Sequence, residues 1–500
     1  MDLSLSGANS GAHPESDRPW KIETNGINLI QDGERHGHPR ELFWVWAGAN
    51  IGILGCTYGA FLVVFYSLNL WQGILAAILG AAIGFALVGL VGLAGKKAGA
   101  PTLVISRASF GVDGNRLPAA VSYLAFIGWE IVVTALAVLA AVTVLQRLGL
   151  HGGDTTTALA FVVIGTIGVV LSVLGHATIV KMQTAFLWIF GLLTIVFFVL
   201  EWKDIDWHKV STLHSGSFLG GFIGGISIIM AGLGIGYVNG GADYTRYLPK
   251  KSSGRAIVGW TTFGASLPQV LLMVFGILLA ASNATLATTA NPIGELAKPL
   301  PTWFLVPYMI AAAGGMLAAT LVNMYSSGLS LMAFGVGLPR YKTVLVDAVL
   351  MTGGCIYVLF FAPSFFGPLE GFLVTLGVPL AAWVAIFIVD MVMFRQNGYD
   401  EPSLLRADGS YGRWGVPGLT ALVVSTVIGL GLVTSTSSAF DWVGYLLGPF
   451  GGKSGAIGGS SIGIFVALGL SAVLYAGIAL AWDRRPSTVP DEAVPAVSEP

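Results

Sequence analysis

The amino-acid sequence predicts an all-α polytopic membrane protein with 12 transmembrane helices, in which two inverted halves of five helices are followed by two more. Three observations predict this fold class. Of the 500 residues, 55% are hydrophobic and only 10% are charged, whereas a soluble domain has roughly a quarter charged residues. Apolar runs recur at the length that spans a bilayer. Two of these runs, which lie five apart in order, are rich in glycine.

We count twelve apolar runs of about 20 residues, the length that crosses about 30 Å of hydrocarbon. They begin near Leu42, Gln72, Val121, Thr157, Thr184, Phe218, Ile257, Phe304, Val344, Phe372, Val416 and Ser461. The predicted divisions are a polar N-terminal tail (1–40), helices 1–5 (41–202), helices 6–10 (203–397), helices 11 and 12 (398–482) and a polar C-terminal tail (483–500).

The distribution of Lys and Arg supports this count, because basic residues concentrate in the cytoplasmic loops of membrane proteins. Alternate loops together with the two tails hold 20 of the 25 basic residues. The opposite loops hold only Arg147, Lys203, Lys209, Lys298 and Lys453. The first forty residues lack the pattern of a signal peptide. We therefore expect a multi-pass protein of the plasma membrane with both termini in the cytoplasm.

Several classes of function are disfavoured by the sequence. A net charge of -1 gives no reason to expect nucleic acid as a partner. Cys56 and Cys355 lie in apolar runs and predict no disulfide framework. A membrane-embedded metalloprotease would need a motif such as H-E-x-x-H, and the sequence has none. Repeated filter loops or charged rings, which would indicate a channel, are not found either.

The two glycine-rich runs predict a binding site. "GANIGILGCTYG" lies in the first run, and "AGLGIGYVNGG", with five glycines in eleven residues, lies in the sixth. Glycine in a helix interior costs about 1 kcal/mol relative to alanine. We therefore predict that helices 1 and 6 are discontinuous and that their exposed backbone lines a site near the midplane. The alternative is that these glycines only allow close packing of helices. The predicted site residues are Asn50, Gly52, Gly55, Gly234 and Gly236.

Polar side chains inside the apolar runs indicate what the site binds. Trp129 offers a flat aromatic face, and the adjacent Glu130 can accept hydrogen bonds from ring N–H groups or carry a coupling proton. Asn323 has both donors and an acceptor, which suits the edge of a nucleobase. Structural roles remain open for all three, and Gln269 is a weaker candidate. Together these residues favour a planar nitrogen heterocycle as the ligand.

Six segments in order resemble the nucleobase:cation symporter family, in its purine-cytosine permease branch. They are "IETNGINLIQDGERHGHPRELFWVW", "GAPTLVISRASFGVDGNRLPA", "GWE", "GADYTRYLP", "NMYSSG" and "VDMVMFRQNGYDEPSL". The resemblance implies a leucine-transporter-type fold. It also implies inward transport of purine bases, cytosine, hydantoins, allantoin, uracil or pyridoxine-type vitamins, driven by a proton or sodium gradient.

The resemblance also implies roles for individual residues. Trp129 takes the ring-stacking position and Asn323 the amide contact, while a second aromatic is expected near the break at Ala231 to Gly236. Asp243 and Arg246 are expected to close helix 6 at its cytoplasmic end, and Arg107 to Gly111 to form the loop before helix 3. The chain departs from its relatives where it has Val133 instead of an amide. It also has no Trp in the sixth run.

The coupling ion is expected to be a proton, although sodium remains an alternative. Sodium-coupled relatives have a Ser-Thr pair shortly before the amide of helix 8, whereas Met316 to Val322 contains Thr320 as its only hydroxyl. Glu130 and Thr320 are therefore the candidates for coupling. No cofactor and no metal are expected, and the partners are the heterocycle and the lipid bilayer. The oligomeric state is not given by the sequence, with a monomer as one option. An amino-acid or amine carrier of the same fold is the alternative function.

Overall fold

The computed structural model describes Trp20 and residues 25–174, 176–289, 291–362 and 365–482. Most of the predicted N-terminal tail and all of the C-terminal tail lie outside these residues. All regular secondary structure in the described residues is helical, and no β-strand is found there. The α-helices are α1 Glu41–Asn50, α2 Leu54–Val64, α3 Leu70–Ala98, α4 Thr102–Ile105, α5 Arg107–Phe110, α6 Arg116–Arg147, α7 Asp154–Ser172, α8 His176–Glu201, α9 Trp207–Thr212, α10 Gly224–Gly232, α11 Gly254–Ser282, α12 Pro292–Ala297, α13 Thr302–Phe334, α14 Arg340–Phe360, α15 Phe366–Val389, α16 Val416–Leu430, α17 Ala456–Ser460 and α18 Gly463–Ala481.

Most of the predicted runs form helices of membrane-spanning length. Within the described residues, ten helices are long and apolar enough to cross a bilayer, and the bent pair α1 and α2 makes eleven if it counts as one span. Helix α16 corresponds to the eleventh predicted run but has only 15 residues, fewer than the about 20 residues of a typical span. The structure is thus an all-helical, multi-pass architecture.

Helices α6 and α13 form the centre of the molecule. They have 32 and 33 residues. In each of them 78% of the most apolar 18-residue segment is buried, the highest share among the candidate spans. Around them, α11 packs against α1, α2 and α3, while α14 packs against α6 and α15 against α16 and α18. The helices at the periphery bury much less. In α14, for example, only 22% of the most apolar 18-residue segment is buried. The outer faces are apolar and suited to lipid.

Glycine allows α2 and α11 to touch through their backbones. A Cβ atom at Gly59 would lie 2.1 Å from the carbonyl oxygen of Met273, and one at Gly276 would lie 2.1 Å from that of Cys56. Any larger residue at either position would force the two helices apart, as at the small-residue interfaces of other membrane helices. This contact fixes the bent first span against α11.

Candidate functional site

The first apolar run is bent at its glycine-rich stretch. Helix α1 ends at Asn50, α2 begins at Leu54, and the two axes differ by 63°. Ile51 no longer has α-helical backbone angles, since its φ is -86° and its ψ is 79°. The side chain of Asn50 donates a hydrogen bond to the Trp46 carbonyl oxygen at 2.9 Å. The backbone between Asn50 and Leu54 is therefore outside the regular helical hydrogen-bond pattern, in the interior of the protein.

The sixth apolar run changes its helix type within its glycine-rich stretch. It extends over Phe218–Gly240 as a single candidate span. Helix α10 ends at Gly232, Leu233 has φ -110° and ψ -87°, and Ile235–Gly240 continues as a 3-10 helix. The Tyr58 hydroxyl donates a long hydrogen bond of 3.4 Å to the Gly232 carbonyl oxygen. Helix α2 thus contacts the sixth run at Gly232, the last residue of α10.

A small cavity of about 30 Å³ lies between these two irregular stretches, which is space for roughly one water molecule. Helices α6, α11 and α13 complete its walls. The lining residues are Ala49, Asn50, Gly52, Leu54, Tyr58, Trp129, Val133, Gly232, Leu233, Tyr237, Gln269, Gly315, Met316 and Ala319. The predicted residues Asn50, Gly52 and Trp129 are thereby brought together at one site.

Two aromatic rings lie face to face at the cavity. The rings of Trp129 and Tyr237 are within 11° of parallel, and their centroids are 6.3 Å apart. Edge-on contacts hold both rings, since Phe372 lies 5.8 Å from Trp129 and Trp46 lies 5.7 Å from Tyr237. A Cβ atom at Gly236 would lie only 2.6 Å from Trp129 Nε1. The glycine therefore allows the sixth run to approach the indole closely.

Two amides near the rings have free hydrogen-bonding groups. Among the described residues, neither the nitrogen nor the oxygen of the Asn323 side chain has a hydrogen-bond partner, and Gln269 Oε1 has none either. Asn323 is fully buried and lies beside Tyr237, whereas Gln269 lines the cavity itself. Because buried polar groups nearly always have partners, these amides are suited to bind a polar ligand.

The two candidates for ion coupling do not line the cavity. Glu130 is fully buried on another face of α6, near Ser327 and Asp347. The Thr320 hydroxyl donates to the Met316 carbonyl oxygen at 3.1 Å and lies 3.3 Å from the Thr134 hydroxyl. Both side chains are thus enclosed between helices at positions separate from the cavity.

Two of the predicted glycines lie in helix contacts. A Cβ atom at Gly55 would lie 2.6 Å from Leu272 Cβ on α11. One at Gly234 would lie 1.9 Å from the carbonyl carbon of Gly84 on α3. Gly52 differs, because its nearest neighbour is the flexible end of Met316, at 2.7 Å. Of these three glycines, only Gly52 lines the cavity.

The segment after the sixth run is tied to its neighbours by buried polar side chains. Asp243 Oδ1 accepts hydrogen bonds from the backbone N–H and the hydroxyl of Thr102, each at 2.8 Å. Burial raises the pKa of Asp243, while the bonds from Thr102 and the charge of Arg246 act in the opposite direction. Arg246 donates to the Gly26 carbonyl oxygen and to the Tyr325 hydroxyl, each at 2.8 Å. The chain before α1 is thereby held against α13.

Arg107 has a comparable role before α6, where the expected loop at Arg107 to Gly111 is largely the short helix α5. It donates to the carbonyl oxygens of Leu404 at 3.0 Å and Ala333 at 3.1 Å. Burial lowers the pKa of Arg107 to about 10, so the side chain remains charged at neutral pH. Its two bonds join the loop to the end of α13 and to the segment before α16.

Sequence reasoning gave too little weight to Tyr237, Gln269 and Tyr58. Tyr237 provides the second aromatic ring, although the chain has no Trp in the sixth run. Gln269 is a lone amide in an apolar helix, which was its only signal. Tyr58 gave no signal, because a Tyr in an apolar run is usually ordinary packing.

Comparison with known proteins gives a consistent result. A sequence model described as "Permease for cytosine/purines, uracil, thiamine, allantoin" matches residues 29–458. The chain is 26% identical over 473 residues to the YxlA protein of Bacillus subtilis, provisionally assigned as a purine-cytosine permease, with 91% of this chain and 95% of that protein covered. It is 22% identical over 456 residues to the purine-cytosine permease FCY2 of Saccharomyces cerevisiae, covering 87% and 82% respectively.

Solved structures show a similar fold. The nucleobase-cation-symport-1 family transporter Mhp1, in a closed conformation with bromovinylhydantoin bound, superposes with a TM-score of 0.69 at 19% identity. That match covers 92% of this chain and 97% of Mhp1. A Na+-coupled sialic acid symporter superposes with a TM-score of 0.57 at 10% identity, covering 89% and 91%. At these identities the likeness concerns the fold.

Proposed function

Because this chain belongs to the family of permeases for cytosine and purines, uracil, thiamine and allantoin, we propose that it imports a purine base or cytosine together with a proton. The relatives are permeases and the structural neighbours are transporters, so the chain is a multi-pass membrane transporter and not an enzyme. The proposal concerns the class of substrate, the coupling ion and the route through the protein, which is alternating access.

The facing rings of Trp129 and Tyr237 carry the proposal about the substrate. Two nearly parallel aromatic faces suit a flat ring, since stacking on aromatic side chains contributes about 1–3 kcal/mol per base. The unpaired groups of Asn323 and Gln269 suit the mixed donors and acceptors at the edge of a nucleobase. An amino-acid carrier would instead use helix-end amides to bind a carboxylate. Paired aromatic rings favour a planar heterocycle.

The surroundings of Thr320 support proton coupling. Sodium is a hard cation that needs several oxygen ligands, and Thr320 is the only hydroxyl in residues 316–322. Its hydroxyl lies between the Met316 carbonyl oxygen and the Thr134 hydroxyl. These two partners satisfy its hydrogen bonding, so no bound ion is needed to explain its burial. A proton needs only a titratable side chain inside the membrane, and Glu130 supplies one.

We further propose that the chain crosses the membrane twelve times, as two inverted repeats over 41–202 and 203–397 followed by two helices over 398–482, with both tails in the cytoplasm. Helices 1 and 6 are discontinuous in this arrangement. The 63° bend between α1 and α2 and the change of helix type at Leu233 support it. Alternating access then moves one part of the bundle relative to the other around the cavity.

Hydantoin or allantoin is the second candidate substrate class, because the structural neighbour Mhp1 has bromovinylhydantoin bound. Pyridoxine-type vitamins are a third member of the same group of planar rings. All three candidates use the same pair of aromatic faces. They differ in the hydrogen-bonding groups that they present to Asn323 and Gln269.

Thermal unfolding of the purified protein with a panel of heterocycles tests the substrate class. A ligand that binds only the native state must raise the apparent Tm, by an amount that grows with its concentration. We expect a rise with cytosine or a purine base. Stabilisation by amino acids with none by any heterocycle would contradict the proposal. Uptake into liposomes then tests coupling: a pH gradient at constant sodium should drive accumulation, whereas a response to sodium alone at constant pH would exclude proton coupling.

A further inference from the structure

Glu130 is an unusual group for the interior of a membrane protein. Its side chain is fully buried, and among the described residues neither carboxyl oxygen has a hydrogen-bond partner. An acidic residue at the centre of a membrane helix costs about 2.5–3.5 kcal/mol on insertion scales, and such residues usually have a function. Since Glu130 does not line the cavity, contact with the substrate does not explain it.

A second buried acid lies nearby. Asp347 on α14 is fully buried, and its charge acts on Glu130. Asp347 Oδ1 accepts a hydrogen bond from the Tyr123 hydroxyl at 2.7 Å, and Oδ2 accepts one from the Ser327 hydroxyl at 2.8 Å. Ser327 also lies close to Glu130. The three helices α6, α13 and α14 thus meet at two carboxyl groups with a hydroxyl between them.

Within the described part of the chain, neither acid forms an ion pair with a basic side chain. The basic residues of α14 are the exposed Lys342, whose ammonium lies over the Tyr341 ring, and Arg340. Its guanidinium donates to the carbonyl oxygens of Ser172, Val173 and Leu174 and lies over the Tyr325 ring.

The other neighbours of the two acids are mostly apolar or weakly polar. Cys355 faces Glu130 from α14, and its thiol lies 3.7 Å from the Ile131 carbonyl oxygen. Buried Met324, Val344 and Met351 form an apolar cluster with Cys355. Two carboxylates in such surroundings cannot both be ionised without a large electrostatic penalty, because like charges repel strongly where water is excluded.

We propose that Glu130 and Asp347 together form the site that binds the coupling proton, separate from the substrate cavity. This inference rests on the proposed proton symport. A proton arriving from outside forms an O–H bond with one carboxylate and leaves when that bond breaks towards the other side, so no other reactant is needed. Protonation of one acid removes the like charge that opposes ionisation of the other, so one proton relieves the repulsion within the pair.

The geometry links this site to the substrate and to one end of the bundle. Trp129 at the cavity and Glu130 at the acid pair are adjacent on α6, so one helix carries both the substrate site and the acid pair. Tyr123 lies seven residues nearer the Arg116 end, a distance of about 10 Å along the helix. Ser327, Asp347 and Tyr123 form a hydrogen-bonded line in that direction. This line gives the proton a polar route.

The test compares Glu130→Gln and Asp347→Asn in liposomes. A gradient of one pH unit can drive about tenfold accumulation of a neutral substrate that moves with a single proton. We expect both variants to reach a ratio near one, while they still exchange internal for external labelled substrate, which needs no net proton movement. The matched control is Thr143→Val, further along α6, whose hydroxyl donates to the Leu139 carbonyl oxygen of the same helix; it should accumulate substrate as the wild type does. Accumulation at the wild-type ratio by either acid variant would overturn the proposal.

Milder variants keep the test decisive if an acid variant does not fold. Tyr123→Phe and Ser327→Ala each remove a hydroxyl that stabilises the Asp347 carboxylate. Both should therefore move the pH of half-maximal uptake upwards. An unchanged pH profile in both variants would also overturn the assignment. If instead the wild type binds heterocycles but ignores a pH gradient, the proton coupling of the proposed function fails, a result that needs no variant to detect.

Discussion

Replacing Gly236 with alanine tests whether the cavity between Trp129 and Tyr237 is the substrate site. The added Cβ would lie 2.6 Å from Trp129 Nε1 and 3.2 Å from Cε2, whereas non-bonded heavy atoms prefer a separation of about 3.5–4.0 Å. The backbone itself accepts alanine, because Gly236 lies in a 3-10 helix and has no positive φ. The added methyl group therefore affects only the Trp129 indole and the 3-10 helix Ile235–Gly240 that touches it.

The size of the effect follows from the required displacement of about 1 Å. Overpacking of this kind costs about 1–3 kcal/mol. If either ring moves to relieve the contact, Trp129 and Tyr237 no longer face each other, and the strain appears as lost affinity. At 1.4 kcal/mol per factor of ten, Kd for the heterocycle should rise by about 5-fold to about 140-fold.

Isothermal titration of purified Gly236→Ala with the best ligand of the panel measures this loss, and thermal unfolding of the same sample reports on the fold. Gly259→Ala is the matched control, because no atom lies within 4 Å of the Cβ that it adds on α11. Alanine should stabilise that helix by up to about 1 kcal/mol and leave Kd unchanged. A folded Gly236→Ala protein that binds within about twofold of the wild type would refute our assignment of the site.

Four further variants test the aromatic site, the helix packing and the buried acid near the end of the sixth run. Tyr237→Ala should raise Kd by about 5-fold to about 140-fold through loss of one stacked ring, and Tyr237→Phe should retain most of the affinity in the same titration. Gly276→Ala should lower Tm, because its Cβ would lie 2.1 Å from the Cys56 carbonyl oxygen; an unchanged Tm would mean that the two helices separate without penalty. Asp243 has a raised pKa, so its contribution to stability is full below its ordinary pKa of 3.8 and declines as pH rises through the raised value. Thr102→Val removes a bond to the carboxylate that is worth about 1–3 kcal/mol, so we expect the fall in Tm to grow as pH rises from below 3.8 through the raised pKa, and a fall that is the same at every pH would contradict this reasoning.

The sequence predicted the helical membrane fold because that fold depends on local composition, and the two glycine-rich runs led to the expectation of a site between them. Apolar runs of fixed length identify membrane helices, and clustered glycine marks places where regular helix is unfavourable. The bend between α1 and α2 and the irregular Leu233 both lie in the two glycine-rich stretches. The course of the backbone near the cavity was thus largely predictable.

The direction of individual side chains was harder to predict. Gly52 lines the cavity, whereas Gly55 packs against Leu272 and Gly234 against Gly84. Glycines in these roles look alike in an apolar run, because the difference lies in which helix is the neighbour. Only tertiary packing decides it.

Helical geometry could have separated Trp129 from Glu130. An α-helix has 3.6 residues per turn, so adjacent side chains point about 100° apart. Both can hardly face the same small cavity from a regular helix. With Trp129 in the cavity, Glu130 is directed elsewhere, and the structure places it near Asp347. The sequence could not identify Asp347 as the neighbour, because the two residues are 217 positions apart.

The distance between the rings of Trp129 and Tyr237 determines which part of the site must move. A flat ligand between two rings needs two gaps of about 3.5 Å, or about 7 Å in total, whereas the centroids are 6.3 Å apart. Phe372 lies against the edge of the indole, and a Cβ at Gly128 would come within 2.1 Å of the Phe372 ring.

Because α6 and Phe372 are already in tight contact, the indole has little room to retreat. The Tyr237 side has more freedom, because a 3-10 helix has weaker hydrogen-bond geometry than an α-helix. We therefore expect ligand binding to displace Tyr237 while Trp129 keeps its contact with Phe372. A ligand-bound structure in which the indole leaves Phe372 and Tyr237 stays in place would contradict this order of events.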